Sequence, residues 1–414
     1  MKKFVSYIYN RPIKVLFILI SIVFIPIMSV MHPQSQDVSI IRTLGIDKNN
    51  EQFEVSMLSY EPASTQSFKE NYIFVSAKGE TISEALKLAG DYVGKRIGLA
   101  HLNNIIVSNE VAEENLASFL DYLCRTYSLN NATNVINTNT SAKEFLKLNL
   151  NIQASNSNQE SNFIENNINF VNGSNTDLED VVVSAYSPSK TALINIIKID
   201  DKNGLDLSGE STTSGESSNG GNSNSQSGSQ KEQKFLNNDG SVAVIVDGKK
   251  VGELAREEIT AFSWINKNFK TNSVVINDFF DENLQNAKVR VEAINKKVKF
   301  NCNFEDGIPT IVANLNVKLE VVEVIENRKT IIKYTPKTEL ISNKMQYVIK
   351  EKIKQDFYPV WEKIKSLNAD PYDFYQLFNL KHSKEFKEYL NTLEDKNNYI
   401  QNFNLILNIN CSDH

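Results

Sequence analysis

One uninterrupted apolar run governs how this chain can fold. Val15 to Met31 (VLFILISIVFIPIMSVM) carries no charge and follows a leader containing Lys2, Lys3, Arg11 and Lys14 but no acid. As a helix its 17 residues would span about 25 Å, close to the roughly 30 Å apolar core of a bilayer. No small-residue cleavage site follows, because Ser29 and Met31 would have to serve. Pro26 is tolerable in a membrane helix, and Pro33 ends it. Residues 1–33 therefore read as an uncleaved signal anchor, a transmembrane helix whose basic end stays in the cytoplasm. The rest of the chain would lie outside from about His32.

The remainder is acidic. The 414-residue chain has a net charge of −6, and without the four leader cations the balance is −10. That argues against nucleic acid and against adhesion to anionic lipid. A composition of 41% hydrophobic and 23% charged residues suits a globular protein of two or three domains. Cys124, Cys302 and Cys411 are too few and too scattered for a disulfide framework or a zinc site. They read as free, mostly buried thiols, with pairing of Cys302 and Cys411 left open.

Ser39–Asp47 reads as a strand and Lys48–Asn50 as its turn, Phe53–Tyr60 alternates as a half-buried strand, and Tyr72–Ala77 makes a third strand. Thr81 and Glu84 form a capping box at the start of a helix. His101–Ser108 reads as a strand, Ser108 as the cap of a helix ending near Arg125, Ala132–Thr138 as a strand and Ser141–Leu148 as a helix. Asn151–Thr176 is weakly patterned, with a short helix at Asn162–Phe170. Leu178–Ala185 fits helix or strand, and Ala192–Ile199 a strand. The Ser-, Gly- and Asn-rich stretch Asp201–Lys234 is too polar to build a core and reads as a flexible loop.

Beyond it come a strand at Ser241–Asp247, its continuation at Val251–Leu254, and a helix at Arg256–Asn266. Strands are predicted at Ser273–Asn277, Lys288–Ala293, Lys297–Phe304 and Ala313–Val321. A helix at Glu339–Leu367 should be kinked or split by Pro359, and a strand closes the chain at Phe403–Asn410. The predicted class is α+β: an anchor, then three mixed domains, the last a largely antiparallel sheet with a long helix. The predicted limits are 37–150 for an N-terminal domain, 151–200 for a smaller region, 201–236 for the loop and 237–414 for the C-terminal domain.

No pattern of catalysis stands out. His32, His101, His382 and His414 lack metal-ligand spacing, and no phosphate-binding, nucleophile-elbow or zinc-protease motif occurs. No catalytic, metal or cofactor residue is predicted. His101 reads as structural, Asp47 as a turn cap or partner of Lys48, Glu257 and Glu258 as dipole-favoured at a helix start, and Trp264 and Trp361 as core.

Four stretches nevertheless resemble one family in order and spacing. They are Leu44-Gly45-Ile46-Asp47-Lys48 with Phe53–Ser56; Gly79-x-Thr81 with Ala85-Leu86; His101-Leu102 with Ile105–Ser108, Leu120, Leu123, Arg125 and Ala142–Leu146; and Val242–Val244 with Gly252-Glu253-Leu254, Glu257-Glu258 and Trp264. The chain resembles the C subunit, Ger(x)C, of spore nutrient germinant receptors. The resemblance implies a non-enzymatic subunit on the outer face of the inner spore membrane, without cofactor, docking on membrane-embedded A and B subunits. Gly45, Asp47, His101, Arg125, Gly252, Glu257 and Trp264 are its motif residues, all with structural roles. Two departures stand out. Ile27–Gln36 has no cysteine to carry the family's lipid, and Ala369–Asp373 keeps an Asp but lacks the family's Gly. The competing readings are an anchored extracytoplasmic protein that binds a small ligand, and an exported enzyme.

Overall fold

The structure is a computed structural model. It describes residues 38–61, 71–127, 129–155, 177–201, 234–267, 269, 272–280, 284–326, 329–333 and 341–413. The anchor run, the short helix expected at Asn162–Phe170 and the bulk of the low-complexity stretch lie outside these residues. Among the described residues no helix is long and apolar enough to cross a membrane.

The first sheet starts with β1 (Val38–Asn49), β2 (Gln52–Glu61) and β3 (Asn71–Gly79), paired antiparallel. Asn50, at φ 56°, makes the first turn. α1 (Ile82–Val93) begins at Thr81, whose hydroxyl accepts from the Glu84 N–H at 3.1 Å. Glu84 answers through the N–H of Glu80 (2.8 Å), one residue earlier than a standard capping box. β4 (Arg96–Gly98), β5 (Asn104–Val107), α2 (Asn109–Thr126), β6 (Asn134–Asn137), α3 (Ala142–Ser155), α4 (Leu178–Tyr186) and β7 (Thr191–Ile196) follow. Leu178–Ala185, open between helix and strand by pattern, lies in the helix Leu178–Tyr186, with the Asp177 carboxylate accepting from the Asp180 N–H.

β8 (Lys198–Asp201) and β9 (Lys234–Asn237) pair as a two-stranded ribbon, Asp201 opposite Lys234. The chain then re-enters the first sheet. β10 (Val242–Val246) pairs antiparallel with β7, and β11 (Lys249–Leu254) with β10. The order is β11-β10-β7-β6-β5-β1-β2-β3, with β4 beside the start of β1, and β7, β6, β5 and β1 are mutually parallel. Strand pairing thus runs across the limits expected at 151–200, 201–236 and 237–414. Val242–Val246 is apolar on both faces, so its pattern marks a buried strand without saying in which sheet.

The second sheet contains β12 (Ser273–Phe279), β13 (Ala287–Glu305), β14 (Ile308–Glu326), β15 (Lys329–Lys333) and β16 (Asn404–Asp413). β16 lies parallel to β14 and the other pairs are antiparallel. The strands expected at Lys288–Ala293 and Lys297–Phe304 form one strand with a bulge between Ala293 and Asn295. The bulge leaves Ile294 exposed and turns Lys296 inward, where its ammonium donates to Ser263 O, Asn266 O and Asn272 Oδ1. Burial lowers that lysine's pKa to about 8.

α5 (Arg256–Ser263) and α6 (Asn343–Ser366) pack against each other, and α6 also lies on β12 and β16. Met345, Ile349, Ile353, Phe357, Val360 and Ile364 form the buried stripe of α6. Pro359 does not split this helix: Pro359 and Gln355 are exposed, so the carbonyl that loses its donor faces water. α7 (Phe374–Lys381), α8 (Ser383–Thr392) and a 3₁₀ turn at Lys396–Asn402 complete this half around Phe378, Phe386 and Phe403. Cys302 and Cys411 are buried, and neither they nor Cys124 form a disulfide.

The two halves meet across the strands of the first sheet. On β7 and β10, Ala192, Ile194, Ala243 and Ile245 face the core under α1, α2 and α4, while Leu193, Val242 and Val244 face the core of the second sheet. α3 covers the same second face over β1, β5 and β6 through Ala142, Phe145 and Leu146.

Candidate functional site

The motif residues fall in three places. Gly45 and Asp47 lie under α3. A side chain at Gly45 would stand 3.2 Å from both Ala142 Cβ and Leu146 Cδ1, so the glycine lets the helix sit close. Asp47 is buried and caps this helix from another strand. Its carboxylate accepts from the N–H groups of Ala142 (2.7 Å) and Lys143 (2.9 Å) and from the Ser141 hydroxyl (3.0 Å). Lys48 turns away to pair with Glu114, so the proposed Asp47–Lys48 pairing is replaced by this long-range cap. Desolvation raises the Asp47 pKa, against the pull of those donors. The Lys143 ammonium pairs with Glu54, whose pKa is lowered because that hydrogen bond and one from Ser76 outweigh desolvation.

His101 and Arg125 are exposed. His101 stands in the turn before β5 rather than opening the strand. Arg125 pairs with Asp121 at 2.8 Å, one turn back on α2.

Gly252, Glu257 and Trp264 lie along the seam between the halves. A Cβ at Gly252 would come within 2.9 Å of Leu367 Cδ2, at the end of α6. Glu257 is exposed in the first turn of α5, while its neighbour Glu258 accepts from Ala255 N–H (2.7 Å) and pairs with Lys363 of α6 at 2.7 Å. Trp264 is buried in the second core.

The seam closes on a residue that the sequence marked only as a departure. Asp370 is fully buried. Its carboxylate accepts from Phe374 N–H (2.9 Å), Tyr375 N–H (2.8 Å) and Tyr399 Oη–H (2.8 Å), and its own N–H donates to Thr191 Oγ1 of β7 at 2.8 Å. Burial pushes this carboxyl up to about 6. Tyr372 stacks on Phe262 at 4.7 Å and donates to its carbonyl. In this turn Asp373 takes the left-handed conformation at φ 59°, one that glycine adopts most easily. The Asp-Pro pair is a turn signal that the sequence carries; the contact with β7 has none.

A further cluster fastens the β10–β11 hairpin to the strand ends. The Lys250 ammonium donates to Asn109 Oδ1 (2.7 Å), Asn137 Oδ1 (2.9 Å) and Glu253 Oε1 (2.6 Å). Gly248, at φ 77°, brings its carbonyl to the Ala117 N–H where α2 breaks its helical path at Asn115. In all these clusters the charged groups are held by structural partners. Among the described residues, no three His, Cys, Asp or Glu side chains are placed to hold a metal ion.

The family model described as "Spore germination protein N-terminal domain" matches residues 33–199, and that described as "Spore germination B3/ GerAC like, C-terminal" matches residues 240–410. A solved structure described as "Crystal Structure of the GerBC protein" shares the fold with a TM-score of 0.50 at 13% identity, covering 89% of this chain and 96% of that one. No curated protein sequence matches the chain.

Proposed function

We propose a function from one premise: the chain belongs to the Ger(x)C family of spore germination proteins. It serves as a non-enzymatic, membrane-anchored subunit of a germinant receptor, docking on the A and B subunits and required for the nutrient-triggered response. The two family matches, which together span both sheets, are the observation that carries this reading. The saturated charge clusters support it, since buried ions fixed by several hydrogen bonds make a rigid docking body. The apolar run Val15–Met31 supplies the anchor in place of a lipidated cysteine. Tethering several subunits to one membrane raises their effective concentration, so modest surface contacts suffice for assembly.

Affinity purification of the tagged full chain from detergent-solubilised spore membranes tests the docking. Recovery of the A and B subunits at comparable amounts is expected; recovery of the chain alone would remove the receptor reading. Mass spectrometry of the recovered chain tests the anchor. A peptide from residues 1–14 is expected, whereas a new N-terminus near Ser35 would show cleavage.

A further inference from the structure

The tether fixes which edge of the molecule stands nearest the membrane. Seven residue steps separate Met31, the end of the apolar run, from Val38, the first residue of β1. Fully extended, they reach about 25 Å. The edge where β1 begins is thus confined near the bilayer surface on the anchor reading, on which this inference rests.

That edge is basic and aromatic, unlike the chain as a whole. Val38 pairs with Arg96 and Ser39 with Ile97, so β4 lies beside the first residues of β1, and Arg96 is exposed. The last turn of α1 arrives there with Tyr92, 73% exposed, followed by Gly94 at φ 68° and Lys95. α2 starts where β5 ends and returns to the same edge, ending at Arg125 and Tyr127. Between α1, β4 and Tyr127 runs an open groove of about 900 Å³, lined by Lys87, Lys95 and Arg96. Asp91 is the acid in this groove, and Asp121 close by is engaged by Arg125. Asp177, Glu179 and Asp180 stand at the start of α4, beside the start of β6.

Cations after a helix C-terminus satisfy its dipole, which accounts for Lys95 structurally. It does not account for Lys87, for Arg96 on the adjoining strand, or for a tyrosine ring left in solvent. Lysine and arginine beside exposed tyrosine form the composition that anionic headgroups and the interfacial layer favour. We propose that this edge is a lipid-facing surface: Lys87, Lys95 and Arg96 contact anionic headgroups, and Tyr92 rests in the headgroup layer. The surface orients the two sheets on their tether. The net charge of −10 outside the leader disfavours indiscriminate adhesion to anionic lipid.

The test uses the full chain reconstituted into vesicles of phosphatidylcholine alone or with about a third phosphatidylglycerol. Vesicles are washed with alkaline carbonate and floated, and lysine acetylation rates are read by mass spectrometry. Expected is flotation in both compositions, with acetylation of Lys87 and Lys95 slowed about threefold or more by phosphatidylglycerol, while Lys384 on α8 is unchanged. High salt should remove the difference. The variant Arg96→Glu, checked for unaltered melting, should lose most of the protection at Lys87. Flotation with equal labelling in both compositions overturns the lipid surface and leaves the anchor intact. Release by carbonate removes the anchor, and the inference with it.

Discussion

Asp370 is the residue on which the seam depends, and its protonation should be visible in stability. Its pKa of about 6 lies above the ordinary 3.8 because burial outweighs the three donors around it. The folded state therefore holds this proton where the unfolded chain has released it. By linkage, the contribution is present below about pH 4 and is lost as pH rises through about 6, a change of roughly 3 kcal/mol. Urea unfolding of the native chain and Asp370→Asn across this range should show it. The stability difference between them should shift against the native chain by about that amount from pH 4 to pH 7. A pH-independent difference would mean the carboxyl titrates normally. The sequence made Asp370 visible only as the Asp kept in a departing family turn, and its partners Thr191 and Tyr399 lie far away along the chain. Asp47 was equally visible as a polar residue at a strand end, and equally opaque, because the α3 N–H groups it caps belong to a segment 95 residues on. Trp264 and Trp361 needed no such partner, and their apolar surroundings in sequence sufficed.

At the scale of elements, α3 is held to the first sheet by Asp47 at its start and by Ala142, Phe145 and Leu146 along its length. Asp47→Ala removes the acceptor of two backbone N–H groups and should cost about 2 kcal/mol, the upper end for a cap, because this one is buried. Hydrogen exchange should rise at Ala142 and Lys143 before it rises in β5. Unchanged protection there would show that packing alone holds the helix. Elements with long periodic patterns were legible: β1, β2, β14 and the α6 stripe follow directly from alternation or helical spacing. The bulge in β13 hid one long strand as two, since Ile294, Asn295 and Lys296 break the alternation. α7 and α8 went unread because they are short, and their aromatics pack on one another rather than marking one clear helical face.

For the whole molecule, the low-complexity stretch was predicted to be a boundary, yet its two ends pair as β8 and β9, and the chain then returns to the same sheet. Replacing residues 202–233 by a short turn should therefore preserve both sheets. Shortening the closed loop from about 32 residues to about four should raise stability by roughly 2 kcal/mol. An unfolded product would show that the stretch supplies contacts of its own. Fold class was legible because periodicity and turn residues are local. The return of β10 and β11 to the first sheet, and the seam they share with α6, depend on pairings that no local pattern encodes. The central claim, a receptor subunit required for germination, is tested most directly on spores. Spores lacking this chain should lose the fall in optical density that nutrient triggers and keep the response to a receptor-independent germinant, with the nutrient response restored by the full-length gene. An unchanged nutrient response across the nutrients that wild-type spores answer would contradict it.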